Sequence, residues 1–187
     1  AGAERTTWGG GCGAIREGAR RDWGAGRSAG ARRAARMDAG RIEEVILGNV
    51  LRAGGGQAPA GQAAQIAGIP ASVPAVTINK VCGSGLKAVM LADQAIRAGD
   101  ARLIVAGGME SMSLSPHLAM KARSGGKFGS QTLLDSMQHD GLTCARDPTP
   151  LGNLTAYSAA KHHISRAARE RSALTRHHRA SATAPTQ

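Results

Sequence analysis

Cys82 is the residue best placed for chemistry. A short β-branched run, residues 73–78, leads into Val81-Cys82-Gly83-Ser84-Gly85-Leu86-Lys87-Ala88-Val89. Small residues follow the cysteine, and then an apolar stretch with helical spacing. That order puts one thiol at a strand-to-helix turn, near the positive end of a helix dipole. Such a place favours a thiolate and makes sulfur a usable nucleophile. The chemistry implied is acyl transfer through a thioester. The competing reading of Cys82 is a buried, inert cysteine.

Other reactive side chains offer less. Cys12 and Cys144 read as ordinary free thiols. Three irregularly spaced cysteines give neither a disulfide framework nor a paired zinc spacing, and they point to a reducing cytoplasm. His162-His163 and His177-His178 are adjacent pairs that point apart on a helix, with no carboxylate pair beside them, so no metal site is expected. Gly107-Gly108 lacks the Gly-x-Gly-x-x-Gly form of a phosphate turn and reads as close backbone packing, at or near a dimer contact. Lys87, one turn past the cysteine, reads as a solvated or interface lysine.

The elements that must position Cys82 follow from pattern. Residues 43–51 read as a buried strand and turn, 54–56 as a loop, and 60–67 as a short helix stopped by Gly68 and Pro70. Residues 73–78 read as a covered strand. Residues 83–97 read as a helix with Leu86, Val89, Met90, Ala92 and Ile96 on its buried side, ended by Gly99-Asp100. Residues 102–106 are the next strand, closed by Gly107-Gly108. This alternation predicts an α/β fold with a covered sheet, mixed or parallel. Beyond Ser113 the pattern weakens. Residues 133–137 and 154–163 are short helical candidates, and 166–187 read as a frayed end. Residues 1–40 carry no sustained apolar periodicity, and no internal repeat is present.

Composition sets the bounds. A chain of 187 residues holds one domain, or one and part of a second. Its hydrophobic content is 42%, heavy in Ala and Gly, with Phe128 and Tyr157 the sole Phe and Tyr. Such a core buries less area per residue. No apolar run approaches the roughly 18 residues of a membrane span. The first residues are Arg-rich and acid-poor, as in transit peptides, but their many glycines fit that class poorly. The net charge of +11 is uneven: residues 1–41 carry +5, residues 42–145 carry +1, and residues 146–187 carry +5. The organised middle is nearly neutral. The basic flanks hold few aromatics and little pattern, so no specific nucleic-acid site is expected, and loose binding to polyanions is.

A series of ordered motifs carries a resemblance. Asn79-Lys80-Val81-Cys82-Gly83-Ser84-Gly85-Leu86-Lys87-Ala88-Val89 resembles the nucleophile motif of thiolases, of the acetyl-CoA acetyltransferase (acetoacetyl-CoA thiolase) type. Ala106-Gly107-Gly108-Met109-Glu110-Ser111-Met112-Ser113, with Pro116-His117 after it, is similar to that family's second N-terminal motif. Glu44-Val45-Ile46-Leu47-Gly48-Asn49-Val50-Leu51 and Gly56-Gln57-Ala58-Pro59 match too. Met137-Gln138-His139-Asp140-Gly141-Leu142 and Gly152-Asn153-Leu154-Thr155 fall where the family's loop domain begins.

The resemblance implies a thiolase N-terminal domain over residues 1–118, with 1–40 degraded or poorly patterned. Residues 119–187 would be the truncated start of the loop domain that grips coenzyme A, and the C-terminal half would be absent. It implies Cys82 as the acyl-thioester nucleophile, its own N–H as an oxyanion donor, and acetyl-CoA and acetoacetyl-CoA as substrates. It implies no other cofactor, no metal and no membrane. Residues binding coenzyme A are not assigned, and His117 and His139 read as structural or substrate-proximal. A homo-oligomer, with a dimer contact through 107–113, or a complementing thiolase half is the expected partner. The family's activating His, second Cys and Asn-anchored water come from its C-terminal half, and neither a Gly-His-Pro nor a late Cys-Gly-Gly run occurs here. Departures point to an alternative, a catalytically incomplete remnant. Ala58 and Gly61 stand where the family has Asn and Arg. Pro150-Leu151-Gly152 stands for His-Met-Gly, Ala156 for Glu and Ser172 for Phe.

Overall fold

Three short strands build a parallel sheet: β1 (Glu44–Gly48), β2 (Ala75–Ile78) and β3 (Ile104–Gly108). Their order is β2-β1-β3, with Val45 opposite Ala75 and Val105, and Gly48 opposite Ile78 and Gly108. The structure, a computed structural model, describes residues 38–126 and 128–183. Expectations for Cys12 and for the poorly patterned start lie outside the described residues. The described residues fall into two compact units, one ending at Gly141 and the other beginning at Leu142.

In the first unit β1 is central, and its alternation serves both faces. Val45 and Leu47 face helix α1 (Pro59–Ile66), whose Ala60, Ala63 and Ala64 are buried against them with Ile42 and Ile69. Ile46 faces helix α2 (Ser84–Ala98), against Ala88 and Ala92. The sheet is thus covered on both faces, and the expected α/β architecture is found. At its rim, Glu43 accepts from the Arg102 main-chain N–H and side chain. Those bonds, the main-chain one foremost, hold its carboxyl below the usual glutamate range.

Three expectations are corrected. The buried face of α2 is Ser84, Ala88 and Ala92, with Leu91 half-buried against it; of the residues expected there Ala92 is buried and Ile96 half-buried, while Leu86, Val89 and Met90 are not. Leu86 is 69% exposed, and Val89 and Met90 are each 46% exposed. β3 runs through Gly107-Gly108 instead of stopping before them. Residues 133–137 are not a helix. Leu134–Asp135 is strand β5, antiparallel to β4 (His117–Leu118), and a π-helical turn, Met137–Leu142, follows. Ser136 fixes that arrival, because its N–H and hydroxyl both donate to the Pro116 carbonyl.

Ala58 caps α1 in the left-handed region, at φ +43, with no side-chain cap bond. A Cβ there costs roughly 1–2 kcal/mol, which Gly escapes and Asn tolerates. Ala58→Gly and Ala58→Asn should each raise stability by about 1 kcal/mol, or a few degrees in a thermal melt. A lower midpoint for both would contradict the strain.

The second unit begins with a turn in which the Cys144 N–H donates to Thr149. Two helices follow, α3 (Leu151–Lys161) and α4 (Arg166–Thr183). α3 ends as α2 does at Gly99, with one left-handed residue and two reverse bonds. Here the residue is His163, at φ +53, and Ile164 N–H donates to Ala159 across it. The frayed end expected for 166–187 is instead helical to Thr183. Ala and Arg supply helix propensity, and Arg166 pairs with Glu170 one turn on, at 2.7 Å. Among the described residues no helix is long and apolar enough to cross a membrane.

Candidate active site

Cys82 follows β2 and precedes the first residue of α2 by two positions. A knot of local bonds shapes the turn. The Asn79 side-chain oxygen accepts from the Val81 N–H at 2.9 Å. Ser84 is 5% exposed. Its hydroxyl accepts from the Lys80 N–H at 2.8 Å and donates to the Val81 carbonyl at 2.6 Å. Lys80 and Val81 carbonyls also accept from Gly83 and Ser84 N–H groups. These bonds hold Val81 at φ +46. A β-branched residue there stores about 1–3 kcal/mol of strain. Cys82 itself is exposed, not buried.

Glycines let α2 approach the sheet. A Cβ on Gly48 would lie 2.6 Å from the Ser84 main-chain carbon and 2.8 Å from the Gly85 nitrogen. A Cβ on Gly108 would lie 3.3 Å from Gly85 Cα. The first turn of α2 therefore rests directly on the carboxyl ends of β1 and β3. At that separation the residues of α2 nearest the sheet are Ser84, Ala88 and Ala92, and the Leu86 face turns outward. The close packing expected of Gly107-Gly108 is real, and the backbone it meets is Gly85 of this chain. No acidic residue occupies the first turn of α2, so its positive end is available to an anion.

A second brace joins the strand ends. Asn49 is 1% exposed, and its N–H donates to Ile78 at 3.0 Å. Its side-chain amide donates to Met109 O at 3.1 Å and to Glu110 Oε1 at 2.8 Å. The Glu110 carboxylate also accepts from Val50 N–H at 2.8 Å and Leu51 N–H at 3.3 Å. The exits of all three strands are tied together where the Cys82 turn begins. Sequence reasoning did not single out this pair. The available signal was a polar residue just past each of two glycine-ended strands. Glu110→Ala removes the acceptor for three donors and should cost about 2 kcal/mol in urea unfolding. With Asn49→Ala added the two costs should not sum, and strict additivity would show the brace to be incidental.

The remaining candidates disperse. Lys87 is half-buried, His117 is exposed on β4, and the exposed His139 Nδ1 lies 2.8 Å from Asp140 Oδ1. Among the described residues no three His, Cys, Asp or Glu side chains cluster to hold a metal. Cys144, in the second unit, is half-exposed, and its thiol is drawn below the ordinary cysteine range by the main-chain N–H groups of Asp147 and then Arg146. What the first unit offers chemically is one exposed sulfur on a strained turn, beside helix-start amides suited to a developing oxyanion.

The family described as thiolase, N-terminal domain, matches residues 1–187. The acetyl-CoA acetyltransferase of Pseudomonas aeruginosa is 54% identical over 130 residues, 70% of this chain and 33% of that protein. The acetyl-CoA acetyltransferase of Chromobacterium violaceum is 50% identical over 141 residues, 75% of this chain and 36% of that one. The crystal structure of Acat5 thiolase from Ascaris suum in complex with coenzyme A superposes with a TM-score of 0.77 at 35% identity, covering 84% of this chain and 41% of that one. The chain spans about a third of the length of the curated relatives it matches.

Proposed function

The chain belongs to the thiolase family, as its N-terminal domain, and from that premise we propose that Cys82 carries an acetyl group between coenzyme A thioesters. The Cys82 thiolate attacks the carbonyl of acetyl-CoA. The tetrahedral oxyanion collapses, the carbon–sulfur bond to coenzyme A breaks, and coenzyme A leaves as thiolate and takes up a proton. The α-carbanion of a second acetyl-CoA, left by loss of one proton, then attacks the acetyl-cysteine carbonyl. Acetoacetyl-CoA forms and the Cys82 thiolate is released. The Cys82 N–H, beside the start of α2, serves as an oxyanion donor.

One observation carries this reading: in a chain of this family, the motif cysteine stands exposed on a strained turn held to the helix start. The relatives' names, and the coenzyme A complex of the Ascaris protein, support the substrate class. By the same resemblance residues 1–118 would be the thiolase N-terminal domain and 119–187 the opening of the coenzyme A-gripping loop domain. No further cofactor is required. A homo-oligomer or a complementing thiolase half would supply the activating imidazole and the second acid/base group. The second reading is a chain that holds the nucleophile but does not turn over alone. The exposed Leu86, Val89 and Met90 beside the turn favour it, since an apolar face of this kind is normally covered.

The test is acetyl transfer from acetyl-CoA to the purified chain, located by peptide mass spectrometry. An acetyl group on Cys82 is expected. A folded chain that takes none there overturns the proposal and leaves family membership without activity.

A further inference from the structure

Ser84 is the first residue of α2, yet its hydroxyl does not cap the helix. The cap position is Gly83, which makes no side-chain cap bond. A capping serine would sit one residue earlier and accept from the helix's own N–H groups. The buried Ser84 hydroxyl turns back instead, accepting from the Lys80 N–H at 2.8 Å and donating to the Val81 carbonyl at 2.6 Å. The Ser84 N–H donates to the same carbonyl at 3.1 Å. That carbonyl belongs to the peptide unit that carries the Cys82 N–H. The unit is planar and trans, so its carbonyl and its N–H point in opposite directions. Holding one end from Ser84 sets the direction of the other.

Among the described residues the Cys82 N–H has no acceptor. It is left to whatever oxygen develops charge beside the sulfur. A donor of this kind is worth most when it is aimed before that charge develops. The bonds also run in series, from the Lys80 N–H through the Ser84 hydroxyl to the Val81 carbonyl, and each polarises the next. The Cys82 N–H, at the far end of that peptide, is thereby made a stronger donor. Val81 sits at φ +46, where a β-branched residue is held against its preference, so loss of the Ser84 clamp would let the peptide rotate. We infer that Ser84 is a positioning residue for acyl transfer: its hydroxyl aims and polarises the Cys82 N–H toward the tetrahedral oxyanion without touching substrate. This rests on Cys82 as the acyl carrier.

The test compares two reagents on Cys82 of the full chain, each adduct followed by peptide mass spectrometry. p-Nitrophenyl acetate acetylates a thiolate through a tetrahedral oxyanion, with p-nitrophenolate leaving. Iodoacetamide alkylates it by displacement of iodide at a saturated carbon, with no oxyanion. Ser84→Ala should slow acetylation about tenfold, part of the loss seen when an oxyanion donor is removed outright. Its alkylation should stay within about twofold, since that step needs only an accessible thiolate. Ser84→Thr keeps the hydroxyl and should keep the ratio of the two rates, even if its extra methyl slows both. Circular dichroism checks that each variant is folded. In the unchanged chain the ratio should fall likewise when urea unfolds the turn, which tests the inference with no variant at all. A ratio that Ser84→Ala or unfolding leaves unchanged would show a turn that does nothing for the oxyanion, and would overturn the inference. So would a ratio lost in Ser84→Thr as in Ser84→Ala. Because p-nitrophenyl acetate contains no coenzyme A, failure of acetyl-CoA to acetylate the unchanged chain would refute the proposed function and leave this comparison intact.

Discussion

After incubation with acetyl-CoA, the Cys82→Ala chain should carry no acetyl at the turn before α2, and the Cys144→Ala chain should be acetylated there as the unchanged protein is. The contrast matters because the described residues hold a second thiol, Cys144, and its pKa is lowered. Main-chain N–H groups of Asp147 and Arg146 hold the Cys144 thiol below its usual range. Its thiolate population therefore grows as pH rises through that depressed value, and remains substantial below the pH where an ordinary cysteine ionises. Cys144 can thus pick up acetyl from any reactive thioester, with no pocket involved. Lowering the pH through that depressed value should suppress that adduct. Both adducts are thioesters and yield to neutral hydroxylamine, so location rather than lability separates them. Acetylation confined to Cys144, surviving in Cys82→Ala, would refute the assignment of the nucleophile.

The strand, cysteine and helix around residue 82 were legible because each is a local matter. Residues 73–78 are β-branched, 83–97 keep a helical period, and the motif between them is contiguous. The orientation of α2 was misread because apolar periodicity finds the large side chains, and Leu86, Val89 and Met90 do share a face. What decides the matter is the depth of approach, set by Gly48 and Gly108 on other strands. The pairing of Asn49 with Glu110 was invisible for a similar reason: they meet across 61 residues of sequence. The strain at Val81 also has no local signature, since Val is a residue that a turn of that hand should avoid. Bonds from Asn79 and Ser84 impose it. α4 escaped notice because it lacks a face to bury, yet Ala, Arg and one ion pair suffice to keep it helical.

The glycine contacts then make a graded prediction, with the largest stability effect expected of any single methyl group here. At Gly48 the added Cβ meets main-chain atoms at 2.6 and 2.8 Å, and main chain cannot rotate aside. The first turn of α2 must lift from β1, opening the Ser84–Ala88–Ala92 contact with Ile46. Overpacking of this kind costs about 1–3 kcal/mol, and more when backbone must move, so Gly48→Ala should lose about 3 kcal/mol. That is roughly 6–12 °C in a thermal melt of a chain this size. Gly108→Ala, with contacts at 3.3 and 3.4 Å, should lose less. Gly107→Ala meets only the Leu47 side chain at 4.0 Å and should lose least of the three. Gly152, early in α3, has nothing within 4 Å of an added Cβ. There Ala should gain up to about 1 kcal/mol from helix propensity. Because lifting α2 also moves the Ser84 hydroxyl from Lys80 and Val81, Gly48→Ala should slow Cys82 acetylation at temperatures where the chain is still folded. Equal melting points for the Gly48 and Gly107 variants would mean that α2 does not rest on the sheet as closely as these distances require, and the physical reason for its outward apolar face would fall with it.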